Sequence, residues 1–363
     1  MPSLPIILLF TLLTIICWGN YGPLMHHGQD LMDRSSLRPF IAVGMAYFLV
    51  AVLAPLGMLR TKGEKGQWTV GGTVFSLIAG TVGALGALGV IVSFKFGGKP
   101  VYVMPLVFGL APVVNTIVTA AMAGTFKNIN MTFLWGIILA ACGAAGVLYF
   151  KPTASPGTGH TAAVVAPTDT AVANGEEAMP STPAVAAPRT VDWPMLVTSV
   201  VMAFICWGSY GPLLHQGQAR MEGSRLRPFL CVGLAYFAIA VALPMLILAA
   251  WTEPGRWTTA GTIWSLLGGA AGAIGALGII LAFNAGGKPI FVMPLVFGLA
   301  PVVNTLVTTT TDGLWDQIRL PFMISLGLAI AGAVTVLIFA PKGAHAPQPK
   351  PTPVESATQP QSP

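Results

Sequence analysis

Charge is what this sequence has least of. Only 18 of its 363 residues are Lys or Arg and 12 are Asp or Glu, 8% charged against 54% hydrophobic. That is too little polar surface to clothe a soluble globule of this length. Cysteine is scarcer still: Cys17, Cys142, Cys206 and Cys231 lie in apolar stretches without a CxxC or Cys/His grouping. This excludes a disulfide framework and a metal site, and predicts four buried small hydrophobes. The apolar stretches also lack a nucleophile–base pair, an HExxH motif and paired carboxylates, so an enzyme is not expected, nor is a cofactor. The net charge of +6 and the pI of about 9.3 are not gathered into a basic, aromatic-interleaved stripe, which excludes nucleic acid as a partner. A basic n-region and a small-residue cleavage site are missing from MPSLPIILLFTLLTIICWG. The run therefore reads as a permanent helix and not a signal peptide.

Long apolar runs are abundant instead. Runs able to cross a hydrocarbon core of about 30 Å fall near residues 4–24, 38–59, 70–94, 101–123 and 132–150, and again near 194–214, 227–250, 259–283, 290–310 and 320–340. Residues 152–191, rich in Pro, Ala, Thr and Gly, read as a disordered linker, and 342–363 as a disordered Pro-rich tail. The expected fold class is all-α integral membrane, with ten transmembrane helices in two five-helix repeats, 1–151 and 192–341.

The two sets are copies. An offset of 189 residues aligns 17–119 with 206–308 without a gap, with 62 of 103 positions identical, about 60%. Residues 97–116, GGKPVYVMPLVFGLAPVVNT, differ from 286–305 only at Val101 against Ile290 and Tyr102 against Phe291. An odd number of crossings per copy makes the second copy enter from the opposite side, the inverted repeat of many secondary transporters. A small excess of basic residues, resting on Arg60, Lys62, Lys65 and the lysines of the tail, lies on the side of the amino terminus. This predicts a multi-pass protein of the plasma or inner membrane with both termini cytoplasmic.

Candidate site residues follow from what a bilayer does not tolerate. Pro112 and Pro301 lack an N–H and free the carbonyls of Phe108 and Phe297; Asn115 and Asn304 lie one turn on, with Thr116 and Thr305 beside them. A broken helix with an amide near the midplane, present twice, is the arrangement of a substrate site at a repeat interface, or of hydrogen-bonding glue between helices. In CWGNYGP and CWGSYGP, Trp18 and Tyr21 share a helical face, as do Trp207 and Tyr210, and Pro23 and Pro212 supply further hinges. These aromatics are either walls of a solute site or members of an interfacial belt. His26, Gln29, His215 and Gln218 follow the prolines near an aqueous boundary, as gate or proton-relay residues or as ties to a neighbouring helix. Lys99 and Lys288 stand at the interface, as gate residues or snorkelling anchors. GGKP itself is no phosphate loop: Gly97 and Gly98 suit a helix stop and Pro100 the first turn of the next helix. Gly72, Ser76, Gly80 and Ala84 recur every fourth position, the spacing of closely packed helices.

The Trp-Gly pairs Trp18-Gly19 and Trp207-Gly208, Arg38 and Arg227 at the second helix of each half, GLAPVVNT in the fourth and ninth, and WGIILAACGAAGVLYF resemble the drug/metabolite transporter superfamily of EamA-like ten-helix permeases. The likeness covers both halves, and PLMHHGQ with GGKP is loosely similar to the sugar and ureide permease branch. The acidic residue usual between that family's fourth and fifth helices is absent, where this chain has TFKNINM. The resemblance implies a permease.

With no Asp or Glu inside any span, strongly ionic substrates and carboxylate-based coupling are disfavoured. The expected function is a secondary transporter or facilitator that moves a small neutral or zwitterionic polar metabolite by alternating access. A non-transporting membrane scaffold or sensor is the competing expectation. The partners expected are a small polar solute, the lipid bilayer and a second copy of the chain in a homodimer.

Overall fold

A computed structural model describes residues 4–152 and 191–340, and every expected span is a helix in it. The helices are α1 (Leu4–Asp30), α2 (Leu37–Thr61), α3 (Val70–Lys95), α4 (Pro100–Ala123), α5 (Met131–Tyr149), α6 (Trp193–Arg220), α7 (Leu226–Ala250), α8 (Thr259–Asn284), α9 (Pro289–Thr311) and α10 (Leu320–Ile338). All ten are long and apolar enough to cross a membrane, and no strand occurs among the described residues. The fold is all-α with the composition of a multi-pass membrane protein. The linker expected at 152–191 and the tail expected at 342–363 lie, apart from residues 152 and 191, outside the described residues.

Local chemistry sets the helix ends. Thr69, Asn130, Asp192 and Thr258 accept the N–H of Gly72, Phe133, Met195 and Gly261 at 2.8–3.2 Å, relieving orphan donors of the first turn. Gly97 and Gly286 take φ of +96° and +97°, and Pro100 and Pro289 open α4 and α9 from the next turn, as the GGKP reading requires. α1 runs unbroken through Pro23 to Asp30 and α6 through Pro212 to Arg220. His26, Gln29, His215 and Gln218 therefore lie inside helices and not beyond their ends, a correction to the shorter spans expected. In α2 and α7 a π-helical turn, Leu49–Leu53 and Phe237–Ala242, precedes Pro55 and Pro244. The wider turn absorbs the hydrogen bond that a proline cannot donate.

The first helix of each half packs mainly on the other half: α1 lies against α8 and α9, and α6 against α3 and α4. α5 and α10 close the molecule as a pair, in which a Cβ on Gly143 or Gly332 would fall 2.2 Å from the backbone nitrogen of Ala329 or Ala140. The lane at Gly72, Ser76, Gly80 and Ala84 is buried, with Gly72 against Met221 of the turn after α6 and Gly80 against Val232 and Ala235 of α7. Large apolar side chains such as Leu8, Leu12, Leu243 and Leu246 face outward, as lipid permits and water does not. The same fact corrects the cysteines: Cys231 is buried, Cys17 and Cys206 are half-buried, and Cys142 is exposed. In a bilayer an apolar side chain need not be an interior one.

Candidate functional site

At the centre, the aromatic residues of both halves meet. Trp18 stacks on Phe108 with ring centroids 6.3 Å apart and meets Phe297 edge-on at 6.1 Å; Phe108 lies 6.0 Å from Phe297 and 6.4 Å from Trp207. Tyr21 meets Trp207 edge-on at 5.7 Å. Glycines make this possible, since a Cβ on Gly86 would fall 2.2 Å from the Trp207 ring and one on Gly275 2.3 Å from that of Trp18. The indole N–H groups donate to the carbonyls of Gly272 and Gly83, each at 3.1 Å. The tryptophans are thus locked walls whose donors are already used. Tyr210 lines the same region beside Gly83. Tyr47 and Tyr236, stacked at 3.8 Å and 6°, complete the interior and were not among the residues singled out. Both are phenols buried in apolar spans at the same register of the repeat, and that register was the signal for them.

The asparagines sit one layer out, on opposite sides of this cluster. Asn304 is fully buried, donates from Nδ2 to the Pro100 carbonyl at 2.8 Å, and presses Oδ1 toward Gly22 of α1 without a donor. Asn115 is half-buried against Gly211 of α6, with no side-chain hydrogen bond among the described residues. The two amides do not pair with each other; each faces the first helix of the opposite half. Thr116 donates to Pro112 in its own helix at 3.0 Å, whereas the Thr305 hydroxyl is buried without a partner, as are those of Thr308 and Thr309. No side chain among the described residues donates to the Phe108 or Phe297 carbonyl. A buried polar group left unpaired costs about 1–3 kcal/mol, so these oxygens are candidate positions for a polar partner.

The two ends of the bundle differ. At one, here side B, residues 31–36, Lys95–Pro100 and Glu253 gather; at the other, side A, Gly63–Thr69, Ser224–Arg227 and Asn284 gather. On side B, Pro100, Val101 and Tyr102 are buried, and Tyr102 Oη donates to Gly97 at 2.8 Å. On side A their counterpart Pro289 is exposed and Phe291 is 66% exposed against 3% for Tyr102. Gln29, on side B, is buried and donates to the Ile91 carbonyl at 3.0 Å, while Gln218 is half-buried. His26 Nδ1 lies 3.1 Å from Asp30, whereas His215 is exposed. Lys99 and Lys288 occupy the N-cap positions of α4 and α9. Side B has an additional cover: the Asp192 N–H bonds to the Phe96 carbonyl at 3.3 Å, and the Lys151 ammonium lies 4.3 Å from the Trp193 ring centroid.

Each end also carries a carboxylate grip that sequence reasoning missed. Glu253 accepts from Ser35 Oγ at 2.5 Å and from the N–H groups of Ser36 and Leu37 at 2.7 and 3.1 Å, with Arg38 and Lys95 at 3.7 and 3.4 Å. Glu64 accepts from Ser224 Oγ and from the N–H groups of Arg225 and Leu226 at 2.9 and 3.2 Å, with Arg227 at 3.6 Å. Each holds the N-terminus of a second helix from the opposite half, where free N–H groups favour an anion. Burial raises the Glu253 carboxyl, but the donors from Ser35, Ser36 and Leu37 and the Lys95 ammonium outweigh it and hold the group below its ordinary value. Glu64 and Glu253 are 189 residues apart, so the repeat register would have found them. On side A, Asn284 stands where Lys95 stands on side B and accepts from Arg225 at 2.7 Å. A cavity of about 240 Å³ opens there between Met58, Gly63, Glu64, Leu226 and Asn284. Among the described residues no group of three or more His, Cys, Asp or Glu is placed to hold a metal ion.

No family model matches the chain, and no curated protein matches it. A solved crystal structure of a protein aligns with a TM-score of 0.52 over 93% of this chain and 98% of its own, at 16% identity. At that identity the likeness shows the fold alone.

Proposed function

We propose that this chain is a secondary transporter or facilitator that moves a small neutral or zwitterionic polar metabolite by alternating access. One observation carries the reading. Two nearly identical stretches, 97–116 and 286–305, stand in different surroundings, the first buried at its start and the second exposed. A duplicated helix with one copy closed and the other open is one half of a rocking cycle, whose other half exchanges the two conditions. On this reading the copies are inverted repeats, the fold is that of an EamA-like permease of the drug/metabolite superfamily, and side A with both termini faces the cytoplasm. The solute sits between the central aromatics and meets the amides of Asn115 and Asn304, the hydroxyls of Thr116 and Thr305, and the carbonyls freed by Pro112 and Pro301. Spans without interior carboxylates support an uncharged or zwitterionic solute.

The test is counterflow exchange in proteoliposomes with glucose, uridine, allantoin and L-serine, after a thermal-shift screen of the detergent-purified protein with the same four compounds. Asn115→Ala combined with Asn304→Ala is expected to abolish exchange while the protein stays folded; undiminished exchange in the double variant removes the site. Cysteines at 115 and 304 that resist aqueous thiol reagents from both sides point instead to a scaffold with a sealed midplane.

A further inference from the structure

The carboxylate grips at the two ends agree contact for contact, until one contact on side B finds no counterpart on side A. Ser35 and Ser224 donate to the Oε2 atoms of Glu253 and Glu64, and the N–H groups of Ser36 and Arg225 donate to the Oε1 atoms at 2.7 and 2.9 Å. Arg38 and Arg227 lie 3.7 and 3.6 Å from the Oε2 atoms, and each guanidinium also reaches the backbone carbonyl of its glutamate. On side B a second cation completes the set, the Lys95 ammonium 3.4 Å from Glu253 Oε1. On side A the matching position is Asn284, and among the described residues Glu64 pairs with Arg227 alone. The neighbouring Arg225 guanidinium is turned to Asn284 Oδ1 at 2.7 Å and lies 5.6 Å from the Phe283 ring centroid.

The cavity of about 240 Å³ lies at this place. An offset of 189 residues turns its walls, Met58, Gly63, Glu64, Leu226 and Asn284, into Ile247, Thr252, Glu253, Leu37 and Lys95. Asn284 against Lys95 and Gly63 against Thr252 both remove side-chain volume on side A, which accounts for the space. Glu64 supplies a carboxylate that is 18% exposed, and Leu226 and Met58 supply an apolar wall. Gly63 and Asn284 are exposed, so the cavity opens to water. At about 30 Å³ for one water, it has room for a small organic cation. A carboxylate beside an apolar wall suits a compact charge on a short hydrocarbon stem, which is what a lysine side chain is. A divalent metal ion needs more oxygens than Glu64 and Asn284 provide. A guanidinium fork needs both carboxylate oxygens, and each already accepts a backbone N–H.

We propose that this cavity binds a primary alkylammonium ion, whose charged nitrogen takes on Glu64 Oε1 the place that the Lys95 ammonium holds on Glu253 Oε1. Glu64 belongs to the first half, and Leu226 and Asn284 to the second. A bound amine therefore joins the halves on side A as Lys95 and Glu253 join them on side B. The site stands apart from the central aromatics, and the inference goes beyond the transport reading without resting on it.

The experiment uses the full chain purified in detergent, with n-butylammonium chloride as the probe and Tm as the readout. A ligand bound by the folded chain alone should raise Tm saturably, by about 2 °C at a roughly tenfold excess over Kd for a chain of this size. Sodium chloride at equal ionic strength and n-butanol at equal concentration should give no such rise. Asn284→Lys builds the ammonium into the chain, so it is expected to raise Tm by itself and to abolish the response to butylammonium. Glu64→Gln should abolish the response as well; where losing this grip on the start of α7 unfolds the chain, Asn284→Lys carries the test. No rise beyond that of sodium chloride, an equal rise with n-butanol, or a rise that survives Asn284→Lys overturns the proposal. Transport is not read in this measurement, so its outcome and that of the exchange assay are independent.

Discussion

Residues 97–116 and 286–305 differ by one methylene and one hydroxyl, yet the starts of α4 and α9 occupy different surroundings. Tyr102 is 3% exposed and Phe291 66%; the Pro100 carbonyl is held by Asn304, while Pro289 is exposed and Asn115 carries no bond to it among the described residues. Nearly equal sequence with unequal burial means that the difference is made by neighbours. Side B has Lys95 at Glu253 and the covers supplied by Lys151 and Asp192; side A has Asn284 and a cavity. A pair of ends built from the same parts, and held apart by a few added contacts, is an arrangement that small perturbations should tip.

The largest effect is expected from filling the tryptophan slots. Gly86→Ala and Gly275→Ala each drive a methyl into an indole and should destabilise by about 1–3 kcal/mol or more, read as a fall in Tm of the purified protein. Because both slots are equally tight, the two variants should fall alike; unequal losses break the view that the aromatic centre is symmetric while only the ends are not. Next comes the amide pair. Asn304→Ala removes the bond to Pro100 and should loosen side B by about 1 kcal/mol, raising thiol labelling of Met104→Cys about fivefold, whereas Asn115→Ala leaves that rate unchanged.

A smaller difference is expected at the carboxylates. Glu253→Gln, which releases Lys95, should raise the same labelling rate more than Glu64→Gln, by a margin within the 0–1 kcal/mol or so typical of partly exposed pairs. The pH dependence has a definite sign. A carboxyl held below its ordinary value stabilises the folded state above that value and loses the contribution as pH falls through its lowered one. Side B should therefore keep this grip at neutral pH and lose it below 4.5, the ordinary glutamate value. Thermal unfolding of wild type and Glu253→Gln should converge there. The smallest effect is at the substituted ring. Tyr102→Phe deletes the bond to Gly97 and should cost about 0.5 kcal/mol, the low end for one neutral hydrogen bond, a small rise in labelling at side B; Phe291→Tyr should slow labelling at side A.

Much of this was legible beforehand. Apolar run lengths located ten helices within a few residues, and only α1 and α6 ran on, because Pro23 and Pro212 are accommodated in a helix whose neighbours supply the missing packing. Trp18 and Trp207 were legible as candidate aromatic walls, and their rings meet Phe108 and Phe297, which were singled out only for their carbonyls. The indole N–H bonds to Gly272 and Gly83 were not legible, because a donor on one helix says nothing of which carbonyl another helix brings near. The roles of Glu64 and Glu253 were not legible, since their partners are the backbone N–H groups of helices some 160 and 216 residues away.

By itself the sequence determined that this is an all-helical chain of ten apolar spans, made of two copies that agree at 62 of 103 aligned positions. Lipid leaves a hydrophobic chain little but helices, and the offset of 189 is visible in the letters. Only the tertiary structure decided which helix start is buried, which asparagine is bonded and which histidine is paired with an aspartate. Near-identical residues stand buried at one end and exposed at the other; the difference depends on which helices approach one another, and that is a property of packing between distant segments.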